Sequence, residues 1–155
     1  MENISLDKII NPKTMQLSAH GAGLLQGTAY SRLNAHLNRS LASMNISIPE
    51  WKLLGQLHEF GDVKLSMLAE LLSYDPPMVT KLVKQLEKKG YVLRKADKID
   101  ERAKIITITR SGTEIVQDAE PFVKKAMAQV LDGVSREHLL IYLKVLTAIV
   151  KNTNV

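Results

Sequence analysis

Apolar residues recur along this chain at intervals that mark helices for most of its length and strands in one short stretch. From about residue 24 to 44, Leu33, Leu37 and Leu41 are followed by Met44, a spacing of four and then three that makes one apolar stripe on a long helix. Asn34, Asn38, Arg39 and Ser43 fall off that stripe, and Gly21 and Gly23 are expected to bracket the helix start. Ser47-Ile48-Pro49-Glu50 has the form of a capping box, with proline in the first turn, where a missing amide costs nothing. Trp51, Leu53, Leu54, Leu57 and Phe60 follow at helical spacing, and Gly61-Asp62 ends that helix. Ser66 to Leu72 predicts a short helix offering Met67, Leu68, Leu71 and Leu72 to a core.

A second start signal comes next. Asp75 is a good N-cap, Pro76 suits the first helical position, and Gly90 is a natural stop. Val79, Leu82, Val83 and Leu86 form the inward stripe, while Thr80, Lys81, Lys84, Gln85 and Lys88 lie off it. The pattern then changes period. Tyr91 to Lys95 reads as a strand, Ala96 to Arg102 as a charged loop, and Ala103 to Thr109 as a second strand with β-branched residues alternating among polar ones. Another helix is expected over about 113–131, bent or broken at Pro121. Ser135 caps a last helix whose Leu139, Leu140, Leu143, Leu146, Ile149 and Val150 form a broad apolar stripe.

Composition narrows what such a chain can be. The 155 residues are 45% hydrophobic and 24% charged, ordinary values for a globular protein. No apolar run approaches the ~20 residues needed to span a bilayer, and the start of the chain, with Glu2 and Asp7, lacks the form of a signal peptide, so a cytoplasmic location is expected. With no cysteine there are no disulfides, thiolate metal sites or thiol switches. The four histidines show no HxxxH spacing, and neither a metal nor a cofactor is expected. No Gly-rich phosphate loop or nucleophile elbow recommends an enzyme.

Charge placement points to a polyanion. Ten bases and five acids fall between Tyr74 and Arg110, so this one window carries the whole formal charge of +5. A short helix, a tight turn and a basic-faced helix make a helix-turn-helix, and a charged hairpin after it makes a wing. The fold expected is mainly α with a small β-hairpin wing: a winged helix-turn-helix over 46–112, flanked by helical dimerisation regions at 1–45 and 113–155.

Several segments resemble the multiple-antibiotic-resistance regulators, the MarR family. Leu86-Glu87-Lys88-Lys89-Gly90-Tyr91-Val92 followed by Arg94 is similar to the end of that family's recognition helix and the entry to its wing. Asp100-Glu101-Arg102-Ala103, with Ile108-Thr109 and Gly112, is similar to its wing motif; Pro49-Glu50-Trp51 resembles the start of its second helix, and Leu68-Ala69 resembles its third. Two residues depart from the pattern: Glu101 stands where a second arginine is common, and Lys64 where a capping Thr or Ser is usual.

The resemblance implies a homodimeric, sequence-specific regulator of transcription, typically a repressor, bound to double-stranded DNA. It implies that Arg102 enters the minor groove and that Asp100 braces it. On the helix before the wing, Lys81 and Lys84 are candidates for phosphates or guanine edges, and Pro77, Met78 and Thr80 for thymine methyls or backbone. Lys95 and Lys98 are candidates for neutralising the DNA backbone. Family members often bind a small phenolic or aromatic anion, for which Tyr30, Arg32, His36 and Trp51 are the candidates here. The alternative kept open is a nonspecific architectural DNA binder, which a selected operator sequence would separate from a regulator.

Overall fold

A computed structural model describes residues 10, 16, 18–96 and 104–153. Six helices are assigned among them: α1 (Ala19–Ser40), α2 (Ile48–Phe60), α3 (Leu65–Leu72), α4 (Pro76–Lys88), α5 (Arg110–Val130) and α6 (Arg136–Thr153). Three short strands, β1 (Val63–Lys64), β2 (Val92–Ala96) and β3 (Lys104–Ile108), form one antiparallel sheet in the order β1-β3-β2. The hairpin expected after Gly90 is present, with Val92 opposite Ile108 and Ala96 opposite Lys104.

The helix signals act largely as expected, with shifts at the ends. The capping box at the start of α2 closes in both directions: the Glu50 amide donates to Ser47 Oγ, and Glu50 Oε2 accepts from the Ser47 amide at 2.9 Å. Asp75 Oδ1 accepts from the Met78 amide at 2.6 Å, with Pro76 at the first helical position of α4. α1 begins earlier than expected, at Ala19, because Ser18 caps it by accepting from the Gly21 amide; Gly21 and Gly23 lie inside the helix. It also stops at Ser40, so Leu41 and Met44 sit beyond it, Met44 in a 3-10 turn over Ala42–Met44. α5 starts at Arg110, capped by Thr109, and Pro121 does not interrupt it. Lys64 precedes α3 without a side-chain capping bond.

One core joins these elements. Leu37 and Leu41 from the α1 end meet Leu53, Leu54 and Leu57 of α2, Leu68 of α3, and Val79, Leu82, Val83 and Leu86 of α4. Val92 and Ile106 enter from the sheet, and Val116, Ala119, Val123 and Ala126 from α5, which packs against α1 and α2. Three residues expected inward are exposed: Phe60 at the end of α2, and Met67 and Leu71 on α3. α6 buries none of its residues, and Leu140, Ile141, Tyr142, Leu143, Val145, Ile149 and Val150 all lie open on it.

The turn between α3 and α4 holds a non-glycine residue in the left-handed region: Ser73 has φ +52° and ψ +42°. That conformation costs an L-residue roughly 1–2 kcal/mol, against roughly 0.5–1 kcal/mol for the extra unfolded-state freedom of glycine. Ser73→Gly is therefore expected to raise stability slightly, by about 0.5 kcal/mol, in urea denaturation. A loss above about 1 kcal/mol would show that the serine side chain holds the turn in a way the backbone geometry does not account for.

Candidate nucleic-acid interface

α4 has two sharply different faces because its apolar residues repeat at three and four. Val79, Leu82, Val83 and Leu86 are buried, and on the opposite side Pro77, Lys81, Lys84 and Lys88 are exposed in a single row. Gln85 is exposed beside Lys84, one turn beyond Lys81, so its amide belongs to the same surface. The sequence already set Gln85 off the apolar stripe with the lysines, and a glutamine amide can pair with an adenine edge. Met78 is half-buried against the core, which leaves only part of it to face a partner. The Thr80 hydroxyl donates to the Pro76 carbonyl at 2.9 Å, so its proton is committed within the helix.

The hairpin stands next to this helix and is fixed to it. Arg94 on β2 donates from Nε to Glu87 Oε2 at 2.9 Å, joining the wing root to the end of α4. Lys95 and Lys104 are exposed on the two strands. Lys98, Asp100, Glu101 and Arg102 lie outside the described residues. The wing root is also tied to α5. The Thr109 amide donates to the Tyr91 carbonyl at 3.0 Å and its hydroxyl to the Gly90 carbonyl at 2.7 Å.

Part of the basic footprint counted along the sequence is neutralised inside the fold. Lys89 pairs with Glu50, turned into the body, and Arg94 with Glu87, whereas Arg110 pairs with Glu114 one helical turn away and stays exposed. The reason is tertiary: Glu50 lies 39 positions from Lys89, so no local pattern shows the pairing. The exposed bases of α4 and the hairpin strands, Lys81, Lys84, Lys88, Lys95 and Lys104, remain as the described surface that a phosphate backbone would meet.

Of the four residues considered for an anion, one lines a described cleft. Trp51 lines a cleft of about 360 Å³ between α2 and α3, together with Lys52, Gly55, Gln56, Glu59, Leu71 and Leu72. Tyr30, Arg32 and His36 are not part of its lining. Tyr30 lies open on α1, near Tyr74 in the turn before α4. Burial first, and Tyr30 second, raise the pKa of the Tyr74 phenol above its usual 10.0. His36 Nε2 and Trp51 Nε1 are both buried without a hydrogen-bond partner among the described residues. Three or more His, Asp or Glu side chains placed to hold a metal ion are not found among the described residues. No helix among them is long and apolar enough to cross a membrane.

Comparison with known proteins agrees with this geometry. The model of the MarR family matches residues 46–104, the span from the start of α2 to the return strand of the wing. A MarR-family transcriptional regulator from Rhodococcus sp. RHA1 shares the fold with a TM-score of 0.80 at 23% identity, over 90% of this chain and 99% of that one. A mutant MarR from E. coli, solved in complex with operator DNA, aligns with a TM-score of 0.78 at 20% identity over 82% of this chain and 91% of that one. BpsR of Bordetella bronchiseptica, whose DNA binding is regulated by 6-hydroxynicotinic acid, gives 0.78 at 19% identity, also over 82% and 91%. The segment carrying the helix-turn-helix and the wing thus matches the model of the MarR family, and the described chain shares the fold of solved MarR-family regulators.

Proposed function

We propose that this chain is a sequence-specific, double-stranded-DNA-binding repressor that acts as a homodimer in the cytoplasm and is released by a small aromatic anion. The observation that carries the reading is the exposed row of Pro77, Lys81, Lys84 and Lys88 along α4, opposite a fully apolar face and beside a hairpin with exposed lysines. A helix so arranged can lie in the major groove while the wing reaches the adjacent backbone. Residues 46–112 are the DNA-binding unit in this reading. Residues 1–45 and 113–155 supply the dimer, in which the open apolar face of α6 finds its cover.

Within that unit, Lys81 and Lys84 hold the duplex through phosphates or guanine edges, with Pro77, Met78 and Thr80 against thymine methyls or backbone. Lys95 and Lys98 neutralise phosphates, Arg102 enters the minor groove, and Asp100 braces it. Release by an anion is supported by BpsR, a protein of the same fold. In this chain the Trp51 cleft is the place with both an apolar wall and a lysine, Lys52.

Selection of bound duplexes from a random library near physiological salt tests the reading. The expected result is a two-fold symmetric site with half-sites about one helical turn, roughly 34 Å, apart. Binding with no motif would favour the nonspecific architectural alternative. On the selected duplex, the double variant Lys81→Ala, Arg102→Ala is expected to bind at least about 100-fold more weakly. Its salt slope should fall by about 0.9 for each phosphate that is no longer neutralised. Undiminished binding by that variant would sink the assignment of the interface.

A further inference from the structure

Glu50 is the buried charged side chain of the described residues, only 4% exposed, at the first turn of α2. Its Oε2 accepts from the Ser47 amide at 2.9 Å and the Ser47 hydroxyl at 3.0 Å. Into the same carboxylate comes Lys89 from the far end of α4, with Nζ 2.8 Å from Oε1 and 3.0 Å from Oε2. A third Lys89 bond, 2.7 Å long, goes to the carbonyl of Asn45, which is itself held at φ +52°. An ammonium has three protons to donate, and these three acceptors use its capacity. The α2 start is anchored in turn to α1, since Asn38 Oδ1 accepts from the Ile48 amide at 2.9 Å and Asn38 Nδ2 donates to the Asn34 carbonyl at 2.9 Å. A continuous polar chain therefore runs from α1, a helix of the dimerisation region, to the end of α4.

We infer that Lys89 and Glu50 are a positioning pair. They fix the angle at which α4 leaves the body of the protomer, and thereby the spacing between the two recognition helices of the dimer, while Lys89 itself does not hold DNA. The inference rests on the dimeric DNA-binding reading above.

The argument is one of leverage and direction. α4 has 13 residues, and at 1.5 Å per residue it is roughly 20 Å long. A tilt of roughly 10° about its pinned end moves the other end by roughly 3 Å, close to the 3.4 Å rise of one base pair. The apolar stripe of Val79, Leu82, Val83 and Leu86 attaches α4 to the core but is not directional, so it resists such a tilt weakly. The Arg94–Glu87 pair joins α4 to the hairpin, which β1 and the start of α5 hold in turn, so it reaches the body only indirectly. Among the described residues, Lys89–Glu50 is thus the direct polar tie from α4 to α2 and, through Asn38, to α1. As a source of stability a buried ion pair does little that an apolar pair would not do, which leaves geometry as what it contributes.

The experiment uses the full-length protein and the symmetric duplex that the wild type selects, together with the same duplex lengthened or shortened by one base pair at its centre. The wild type is expected to bind the respaced duplexes about tenfold or more weakly than the parent. Lys89→Met and Glu50→Gln are each expected to cut that discrimination to about threefold or less. The salt slope on the parent duplex stays at the wild-type value. Glu50→Gln removes a negative charge, so a purely electrostatic role would strengthen binding to the parent; weaker binding to it is expected here. The paired variant Glu50→Leu, Lys89→Met leaves no buried charge alone, keeps the fold measurable if the single variants unfold, and is expected to lose discrimination equally. Unchanged discrimination in folded variants, or a salt slope lowered by about one per protomer in Lys89→Met, overturns the inference. A wild type that selects no symmetric site overturns the functional reading beneath it, and a symmetric site with unchanged variant discrimination overturns the positioning role alone.

Discussion

Gly112→Ala is expected to lower the unfolding free energy by about 3 kcal/mol or more. Gly112 sits in the first turn of α5, where Thr109 Oγ1 accepts from its amide at 3.0 Å. A Cβ there would lie 2.2 Å from the Tyr91 carbonyl oxygen and 2.8 Å from Ile108 Cγ1. The first of these is backbone and cannot rotate away. The helix start and the wing root would have to separate, which breaks the Thr109 amide and hydroxyl bonds to Tyr91 and Gly90 as well. Overpacking costs roughly 1–3 kcal/mol, and each broken hydrogen bond roughly 0.5–1.5 kcal/mol. Gly55→Ala is the internal contrast: nothing lies within 4 Å of its added Cβ, and it occupies a helix interior. There alanine is expected to stabilise by roughly 0.5–1 kcal/mol. Urea denaturation of both variants checks the pair, and a Gly112→Ala protein as stable as the wild type would show that α5 does not press on the wing root as described.

In the proposed homodimer, Leu143→Glu is expected to shift the protein from dimer to monomer and to weaken binding to the duplex it selects. Leu143 is 49% exposed on a helix that buries nothing within its own protomer. At a two-fold interface the change appears twice, and each copy removes roughly 1.5–3 kcal/mol of apolar burial before any cost of placing a carboxylate there. The dimer constant is then expected to worsen roughly 100- to 10,000-fold. Sedimentation at micromolar concentration reads the change directly. A variant that remains dimeric would place the interface elsewhere and remove the proposed cover for α6.

The elements most legible in the sequence were those whose signals are local. The Ser47–Glu50 box, the Asp75 cap, the stop at Gly90 and the inward stripe of α4 each lie within a few residues of what they control. What escaped was non-local. β1 is only Val63–Lys64, too short to show a period, and it is a strand because Ile106 and Ile105 stand opposite it. Lys89 and Arg94 entered the sequence reading as part of a basic footprint, but distant folding brought Glu50 to one and helix-to-wing packing brought Glu87 to the other. Met67 and Leu71 were offered to the core by their apolar character, whereas the inward side of α3 is filled by Leu68 and Ala69, with Leu65 and Leu72 packed partly beside them. Trp51 was grouped with Tyr30, Arg32 and His36 by chemistry, and the fold places it in a cleft that the other three do not line.

The double proline at the start of α4 has a consequence for how the helix can be held on a duplex. A helix normally begins with several free amides that receive a phosphate oxygen and anchor it without any side chain. Here Pro76 and Pro77 have no amide, the Met78 amide is taken by the Asp75 carboxylate at 2.6 Å, and that of Val79 by the Asp75 carbonyl at 3.1 Å. The carboxylate also sets a negative charge where a phosphate would otherwise settle. At this end of α4, grip on the sugar-phosphate strand in the proposed complex therefore comes from side chains, Lys81 and Lys84 foremost, rather than from free amides. Dissolved cations compete with those side chains directly, whereas they compete little with a buried amide, so hold on the duplex should loosen steeply as ionic strength rises.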